Sequence, residues 1–329
     1  MNKKTLIALA ALAAGSAALA QSSVTLYGVA DVGIGKGEGG KVNMISSTIG
    51  NHTSSHIGLR GVEDMGGGLK AGFNFEQAIN MENGATGVAD STTWQRAANV
   101  WLGGNWGRFQ MGRATTPSFN AMQTWDLMGL PGYAPAYFSF GFVGGDTGDR
   151  IDSLFSYKTP VWGGFSAELG YFAKGDDPLG NASSKRDKFD LGVTYVNGPL
   201  SAGVAYNKTK GYKANYGLGA KYNFGSFTLA ASYQDSNNWA YANTPGAVGR
   251  VAGVTLGGMV NFGAMSVALD VVRPLKNEAT FQNVTYKQKK YTNGALELKY
   301  ALSKRTFFYG AYLRAEGTNN YSLGMQHRF

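Results

Sequence analysis

The sequence predicts an all-β fold, a 16-stranded antiparallel transmembrane β-barrel. Three observations carry that expectation. Apolar and polar residues alternate along most of the chain, the period of strands with one oily and one wet face. Short turn signals take turns with longer polar connections between those strands. The last stretch, NNYSLGMQHRF, keeps the alternation to Phe329 and adds no polar tail, although the last residues of most domains are loose unless tied down.

The first twenty residues, MNKKTLIALAALAAGSAALA, are set aside from the fold. They join a charged start at Lys3 and Lys4, an apolar middle and the small-residue site Ala18-Leu19-Ala20 before Gln21, the pattern of a cleaved export signal. The apolar run is short of the ~20 residues a spanning helix needs. No later stretch reaches that length without a charge or a polar residue, so residues 21–329 are expected to form a single domain that crosses with strands. Without Lys3 and Lys4, 28 basic residues face 21 acids, a net charge of about +7. Such a balance suits nucleic acid, but the Lys and Arg residues form no dense cluster and the export signal points elsewhere. With no cysteine there is no disulfide framework. The 48 Gly, 18 Tyr and 18 Phe fit half-wet strands better than a sheet covered on both faces.

Along the chain, LKAGFNFE puts Leu69, Ala71, Phe73 and Phe75 on one face and Lys70, Gly72, Asn74 and Glu76 on the other. YKANYGLGAKYNF, GFSAELGYFAK, FTLAASYQ, DLGVTYV, GPLSAGVAYN and MSVALDVV repeat the pattern. Runs of about 9 to 12 residues exceed the usual soluble strand and match a tilted bilayer crossing. Tight turns fall at 64–68, 104–107, 159–164, 196–199, 223–226, 261–264 and 301–304, each rich in the punctuating residues Gly, Asn, Asp, Ser or Pro. Longer connections fall near 36–53, 80–92, 115–149, 175–187, 208–212, 236–248, 274–288 and 316–319. Seven short and eight longer connections join sixteen strands. An even number leaves both termini on the short-turn rim, so the first strand can pair with the last and remove the sheet's edges. A soluble sandwich is the rival, but it gives no role to the Tyr, Phe and Trp repeated at strand ends, which suit interfacial girdles. A barrel of sixteen strands encloses water.

The segments VTLYGVADVG, SHIGLRGVEDMGGGLKAGFNFE, LGGNWGRFQMGR, SLFSYKTPVWGGFSAELGY, NGPLSAGVAY, YNFGS, LSKRTFFYGAY and LGMQHRF follow one another in that order. Together they resemble the trimeric general-diffusion porins of the β-proteobacterial outer membrane, across the whole mature chain. The resemblance implies a homotrimer in the outer membrane, reached through the periplasm and surrounded by outer-membrane lipid and lipopolysaccharide. It implies passive passage of inorganic ions and small hydrophilic solutes, with no cofactor. It also implies that Phe329 is part of the signal read by the barrel-assembly machinery, beside its reading from the residues as the end of a closing strand.

In that family the third long connection, here about 114–149, folds into the barrel and narrows it. This stretch holds Asp126, Asp146 and Asp149 and no Lys or Arg. Its Phe119, Trp125, Tyr133, Tyr137, Phe138, Phe140 and Phe142 either pin the loop to the wall or offer a stacking surface to a solute. Opposite such a loop the family sets basic residues. Arg96, in WQRAANVWLGG, and Arg150, just after the loop, match two of them. In SSHIGLRG the alternation sends Ile57 and Leu59 to lipid and His56, Gly58 and Arg60 to water. In DRIDSLFSY it sends Ile151, Phe155 and Tyr157 to lipid and Arg150, Asp152 and Ser156 inward. His56 departs from the family's anion-preferring members, which tend to carry arginine there. An imidazole is mostly uncharged at neutral pH, so the waist has one fixed charge fewer, and anion preference should grow as pH falls through ~6.5. Arginines facing loop acids set a transverse field in a narrow, low-dielectric passage. The expected channel is weakly to moderately anion-selective.

A substrate-specific channel with a solute site at the constriction is the alternative, favoured by the aromatic loop. An enzymatic barrel would need an imidazole base from His52, His56 or His327, and none stands in a Ser/Asp pattern of the nucleophilic kind. His52 and His56, four apart in a strand, would be about 13 Å apart, too far to share a metal. An adhesive role would rest on the long loops alone.

Overall fold

The computed structural model describes residues 23–36, 40–86, 93–141, 149–175, 186–240 and 248–329. The export signal, Phe142 and Asp146 lie outside them. In chain order the strands are β1 (Ser23–Lys36), β2 (Val42–Ile45), β3 (His56–Gly66), β4 (Leu69–Ala78), β5 (Ala97–Gly104), β6 (Gly107–Thr115), β7 (Arg150–Lys158), β8 (Phe165–Gly175) and β9 (Arg186–Asn197). They continue as β10 (Leu200–Thr209), β11 (Asn215–Asn223), β12 (Phe227–Ala240), β13 (Val248–Phe262), β14 (Met265–Phe281), β15 (Val284–Lys287), β16 (Asn293–Ala301), β17 (Thr306–Ala315) and β18 (Thr318–Arg328). Two helices, α1 (Pro117–Trp125) and α2 (Pro135–Phe140), lie between β6 and β7.

All eighteen strands join one antiparallel sheet that closes where β1 pairs β18. The four-residue β2 and β15 only extend hairpins on the long-connection rim, so sixteen strands form the barrel. The closing seam runs from Val29↔Arg328 to Lys36↔Tyr321. Its last turn of the zipper is the terminal residue itself: Phe329 N–H donates to the Gly28 carbonyl and Gly28 N–H to the Phe329 carbonyl, both at 3.1 Å. A Cβ on Gly28 would stand 2.4 Å from the Phe329 ring, so glycine lets the aromatic lie flat over the first strand.

The side chains are sorted inside out relative to a soluble domain. Leu323 is 68 % exposed and Leu26, Leu229, Leu256 and Leu269 are likewise open, while Gln326 and Gln234 are wholly buried. An apolar outer band above a polar interior is what lipid outside and water inside demand. Rings gather near the short turns: Trp106 stacks on Tyr157, Phe165 packs on Tyr195, and Phe224 stacks on Phe227.

Two local readings need correction. The stretch 274–288 is mostly strand: β14 runs to Phe281 and turns through Gln282 and Asn283, both with positive φ, into β15. Cross-strand Glu278↔Lys287 and a 3.0 Å Thr280–Thr285 hydroxyl contact keep this hairpin paired beyond the bilayer, where polar residues carry no strand-ending signal. In β7, Ser153 adopts a φ of 54° and the β6–β7 register shifts between Gly112 and Ala114. Such a bulge re-aims its neighbours. Ile151, expected to face lipid, is buried against Ala114, Leu154 and Phe172, and Asp152 is exposed and pairs with Arg113 at 2.7 Å.

Candidate functional site

The third connection folds onto a wall that has been cleared for it. Positions 170, 192, 203, 219 and 257 are glycine, and a Cβ at any of them would meet the loop at 3.0 Å or less. At Gly219 it would lie 2.3 Å from the Trp125 ring, and at Gly192 2.3 Å from the Pro117 carbonyl oxygen. Helix α1 starts at Thr116, whose Oγ1 accepts from Phe119 N–H, with Pro117 in its first turn, both standard N-terminal choices. The wall carboxylate Asp190 accepts from the Ser118 N–H at 2.6 Å and from its hydroxyl at 2.9 Å, a negative charge placed at the positive end of the helix.

Asp126 ends α1. Its carboxylate accepts the backbone N–H groups of Met128 (3.0 Å) and Leu130 (2.8 Å), and Lys221 Nζ donates to its backbone carbonyl. The side chain is 6 % exposed. Burial pushes its pKa up. Sequence reasoning set Asp126 across the water from the arginines; the structure uses it to hold the loop's turn, and it borders neither lumen cavity described below. Trp125 and Tyr133 are also buried. Trp125 covers the glycine wall, and the Tyr133 hydroxyl donates to Glu297 of β16, where burial and that carboxylate raise its pKa well above the usual phenol range. These two rings are anchors. The loop tip is further fastened by Gly132 N–H to Asn51 carbonyl (3.0 Å) and Asn293 Nδ2 to Ser139 Oγ (2.8 Å).

Away from this packed side the lumen opens into two cavities. One, of about 650 Å³, is bordered by His52, His56, Arg96, Phe119, Tyr137, Asp149, Arg150 and Arg328. The other, of about 340 Å³ and nearer the short turns, is bordered by Glu76, Arg96, Arg108, Arg150, Lys158 and Glu168. Arg96 and Arg150 belong to both, so they stand where the two meet. Glu76 lies 3.4 Å from Arg96 Nε, and Asp149 pairs with Arg150. The Nε–H groups of both arginines have no acceptor among the described residues. Those two atoms are shut off from water, so it is the charge of each guanidinium at the cavity edge, not a free Nε–H, that acts on a passing anion. His56 Nδ1 lies 2.8 Å from the Ser54 carbonyl. His52 is packed against Phe307 and Tyr309; burial, with Lys299 and Arg328 beside it, lowers its pKa to about 3.

Arg60 is not part of this cluster. It lies four residues from His56 on the same face, roughly 13 Å farther along the strand, with its guanidinium 5.0 Å from the Tyr27 ring. Asp152 borders neither cavity, and Asp146 lies outside the described residues. Glu76, Arg108, Lys158, Glu168 and Arg328 were not singled out as site residues, although Glu76 and Arg328 stand on wet faces of alternating strands. Parity gave the face; it carried no information on depth.

A closed barrel with an oily exterior, a charged lumen and a loop folded across it is a passive channel of an outer membrane. The chain belongs to the Gram-negative porin family, whose model matches residues 5–320. It is 34 % identical to outer membrane porin protein 32 of Delftia acidovorans, over 98 % of this chain and 92 % of that one. It is 30 % identical to an outer membrane porin of Bordetella pertussis over 99 % and 100 % of the two chains. Its fold matches an anion-selective porin from Comamonas acidovorans with a TM-score of 0.73 and 28 % identity, covering 94 % of this chain and all of the other. The protein is an outer-membrane porin, a water-filled channel for passive diffusion.

Proposed function

We propose that this porin favours anions weakly to moderately, and that Arg96 and Arg150 set the preference at its waist. The observation that carries the proposal is their shared position between the two lumen cavities. Around those cavities Arg96, Arg108, Arg150, Lys158 and Arg328 face Glu76, Asp149 and Glu168, an excess of positive charge. A narrow passage between low-dielectric walls focuses such a field. Asp149 and Glu76 keep the preference moderate by partial neutralisation. The fold neighbour from Comamonas acidovorans, an anion-selective porin, supports the same sign.

The passing species are inorganic ions and small hydrophilic solutes, and the working assembly is a homotrimer. Phe329 serves as the assembly signal as well as the seam's last residue. Among the described residues, the aromatic-loop alternative, a solute-specific channel, keeps Phe119 and Tyr137 on the cavity surface, while Trp125 and Tyr133 are taken up by the wall. The test is a planar bilayer with the mature protein in a salt gradient. A reversal potential of anionic sign supports the proposal. Cationic sign overturns it and hands control of the waist to Glu76 and Asp149.

A further inference from the structure

Between β2 and β3 the chain leaves the wall and runs inward. Ile45 still pairs with Gly33 and His56 with Val29, but residues 46–55 between them lie over the inner face of the closing seam. There the Ser322 hydroxyl of β18 donates to the Gly50 carbonyl at 2.6 Å, and a Cβ on Gly50 would stand 3.2 Å from that serine's own Cβ. Ser47, Thr48, Thr53 and Ser54 of this segment border the larger cavity, which Arg96 and Arg150 border as well. The segment also meets the tip of the constriction loop. Gly132 N–H donates to the Asn51 carbonyl, and a Cβ on Gly132 would lie 2.6 Å from the Thr48 carbonyl oxygen and 2.7 Å from that of Asn51.

Asp31 of β1 holds the segment in place. Its carboxylate is wholly buried and gathers donors from both sides. Thr53 N–H (2.9 Å) and Asn51 Nδ2 (3.1 Å) come from the segment, and the Tyr309 hydroxyl (2.7 Å) and Gln326 Nε2 (3.0 Å) come from β17 and β18. Ser55 adds a reciprocal pair, its hydroxyl accepting the Asp31 N–H at 2.8 Å and donating to the Asp31 carbonyl at 2.9 Å. Tyr309 can reach across the closing strand because position 324 is glycine, where a Cβ would lie 2.4 Å from the tyrosine ring. Hydrogen bonds to a charged acceptor are the strong ones, and a buried donor that loses its acceptor is costly.

We propose that residues 46–55 are a second arm of the constriction, with Asp31 and Asn51 as its positioning residues, and that this arm limits the size of solute that passes while Arg96 and Arg150 set the sign of its charge. The segment contains no Lys, Arg, Asp or Glu, so moving it changes the width of the passage and leaves the fixed charges of the waist where they are. Its tie to the seam and its contact with the loop tip brace two walls of one cavity against each other. A segment fixed at both places excludes a large solute, whereas a loose polar loop would yield to it. The proposal goes beyond the charge-based reading above and rests on the chain being an open channel, which wild-type conductance in simple salt tests by itself.

The experiment is planar-bilayer conductance with neutral polyethylene glycols of graded size, the reversal potential being recorded on the same channels. The polymer that just fails to enter marks the width of the passage. Asn51→Ala removes the amide that ties the segment to Asp31 and keeps the backbone carbonyl that receives Gly132. Asp31→Asn keeps the volume and turns donor against donor. Both should admit larger polymers than wild type, with noisier current and an unchanged reversal potential. Thr53→Ala trims the cavity surface itself but keeps the backbone N–H bound by Asp31, so its cut-off should stay at the wild-type size. Heat-modifiable gel mobility shows which variant barrels are closed. Should Asp31→Asn fail to close, Asn51→Ala decides alone, since it leaves Thr53, Tyr309 and Gln326 on the carboxylate. An unchanged cut-off in closed Asn51→Ala channels would overturn the proposal. So would a cut-off that widens as much in Thr53→Ala, or an Asn51→Ala reversal potential that moves as far as that of Arg96→Gln.

Discussion

The two halves of the lumen wall are built on opposite plans. From β8 to β13 the inward positions are stripped to glycine where the loop passes, and Pro117, Trp125 and Leu127 of the loop pack into the space left. From β3 to β7 the inward positions carry Glu76, Arg96, Arg108, Arg150 and Lys158, all of them bordering open cavities. One half fixes where the loop lies, and the other decides what passes beside it. Position and selectivity are therefore separable by mutation.

The largest effect should come from breaking the packed half. Leucine at 219 would drive a Cβ to 2.3 Å from Trp125, and neither the ring nor the strand has room to give. Gly219→Leu should dislodge α1, raise single-channel conductance and make it noisy. Trp125→Ala removes the same contact from the other side and should cost about 3–5 kcal/mol, the usual range for truncating a buried aromatic. Heat-modifiable gel mobility reads that loss as a lower unfolding temperature. If both variants keep wild-type conductance, the loop is held by something other than the glycine trough.

The open half should respond in the opposite way. Arg96→Gln/Arg150→Gln removes two charges at the meeting point of the cavities and leaves Glu76 and Asp149 in place. At an effective dielectric between those of water and protein the change is worth on the order of 1 kcal/mol, or about fivefold in the permeability ratio. The reversal potential should move toward cations, with heat stability close to wild type. A variant that loses stability and keeps its anion preference would reverse the division of labour proposed for the two halves.

Much of this architecture could be read before any coordinates. Strand number and closure follow from alternation and turn chemistry, which are local, and Phe329 marks the seam because its strand is oily on one face to the end. What could not be read is depth and folding-over. Arg60 and His56 share a face and differ by a distance along the barrel that parity does not encode. Asp126 looks like a pore acid until α1 exists to be capped, and the kink at Ser153 turns Ile151 inward with no residue in DRIDSLFSY to announce it. Glycines 192, 203 and 219 alternate like any weak strand residue; their purpose appears only when Trp125 and Pro117 arrive from far away in the chain.

Two aspartates sharpen the contrast further. Asp149 pairs with Arg150 at the cavity edge, so Asp149→Asn should increase anion preference about twofold, on the order of 0.4 kcal/mol. Asp126→Asn should leave the reversal potential unchanged, since the carboxylate is turned into the loop. Its effect is on stability. A carboxyl whose folded pKa is raised contributes stability that is full below its unfolded value and is lost as pH rises through the folded value. Asparagine can still accept the two backbone N–H groups without carrying the charge, so Asp126→Asn should be at least as heat-stable as wild type at pH 8, and its advantage should shrink in acid. A clear change of ion preference in Asp126→Asn would return that residue to the pore.

The smallest expected effect belongs to His56, one imidazole on the same cavity as three fixed cations, Arg96, Arg150 and Arg328. Acidification from pH 8 toward pH 5 should strengthen anion preference modestly and late, toward the acid end of that range, because Arg96 and Arg150 on the same cavity oppose a further positive charge on the imidazole. His52 offers no competing explanation in that window, because its pKa of about 3 keeps it neutral throughout. His52→Ala should therefore preserve the pH response of the reversal potential, and His56→Ala should flatten it. Two variants that titrate like wild type would place the proton elsewhere, with the acids bordering the cavities, Glu76 and Asp149, the next to replace. A response abolished in His56→Ala alone would show that the open half tunes its field with a titratable side chain where related channels are expected to carry a fixed one.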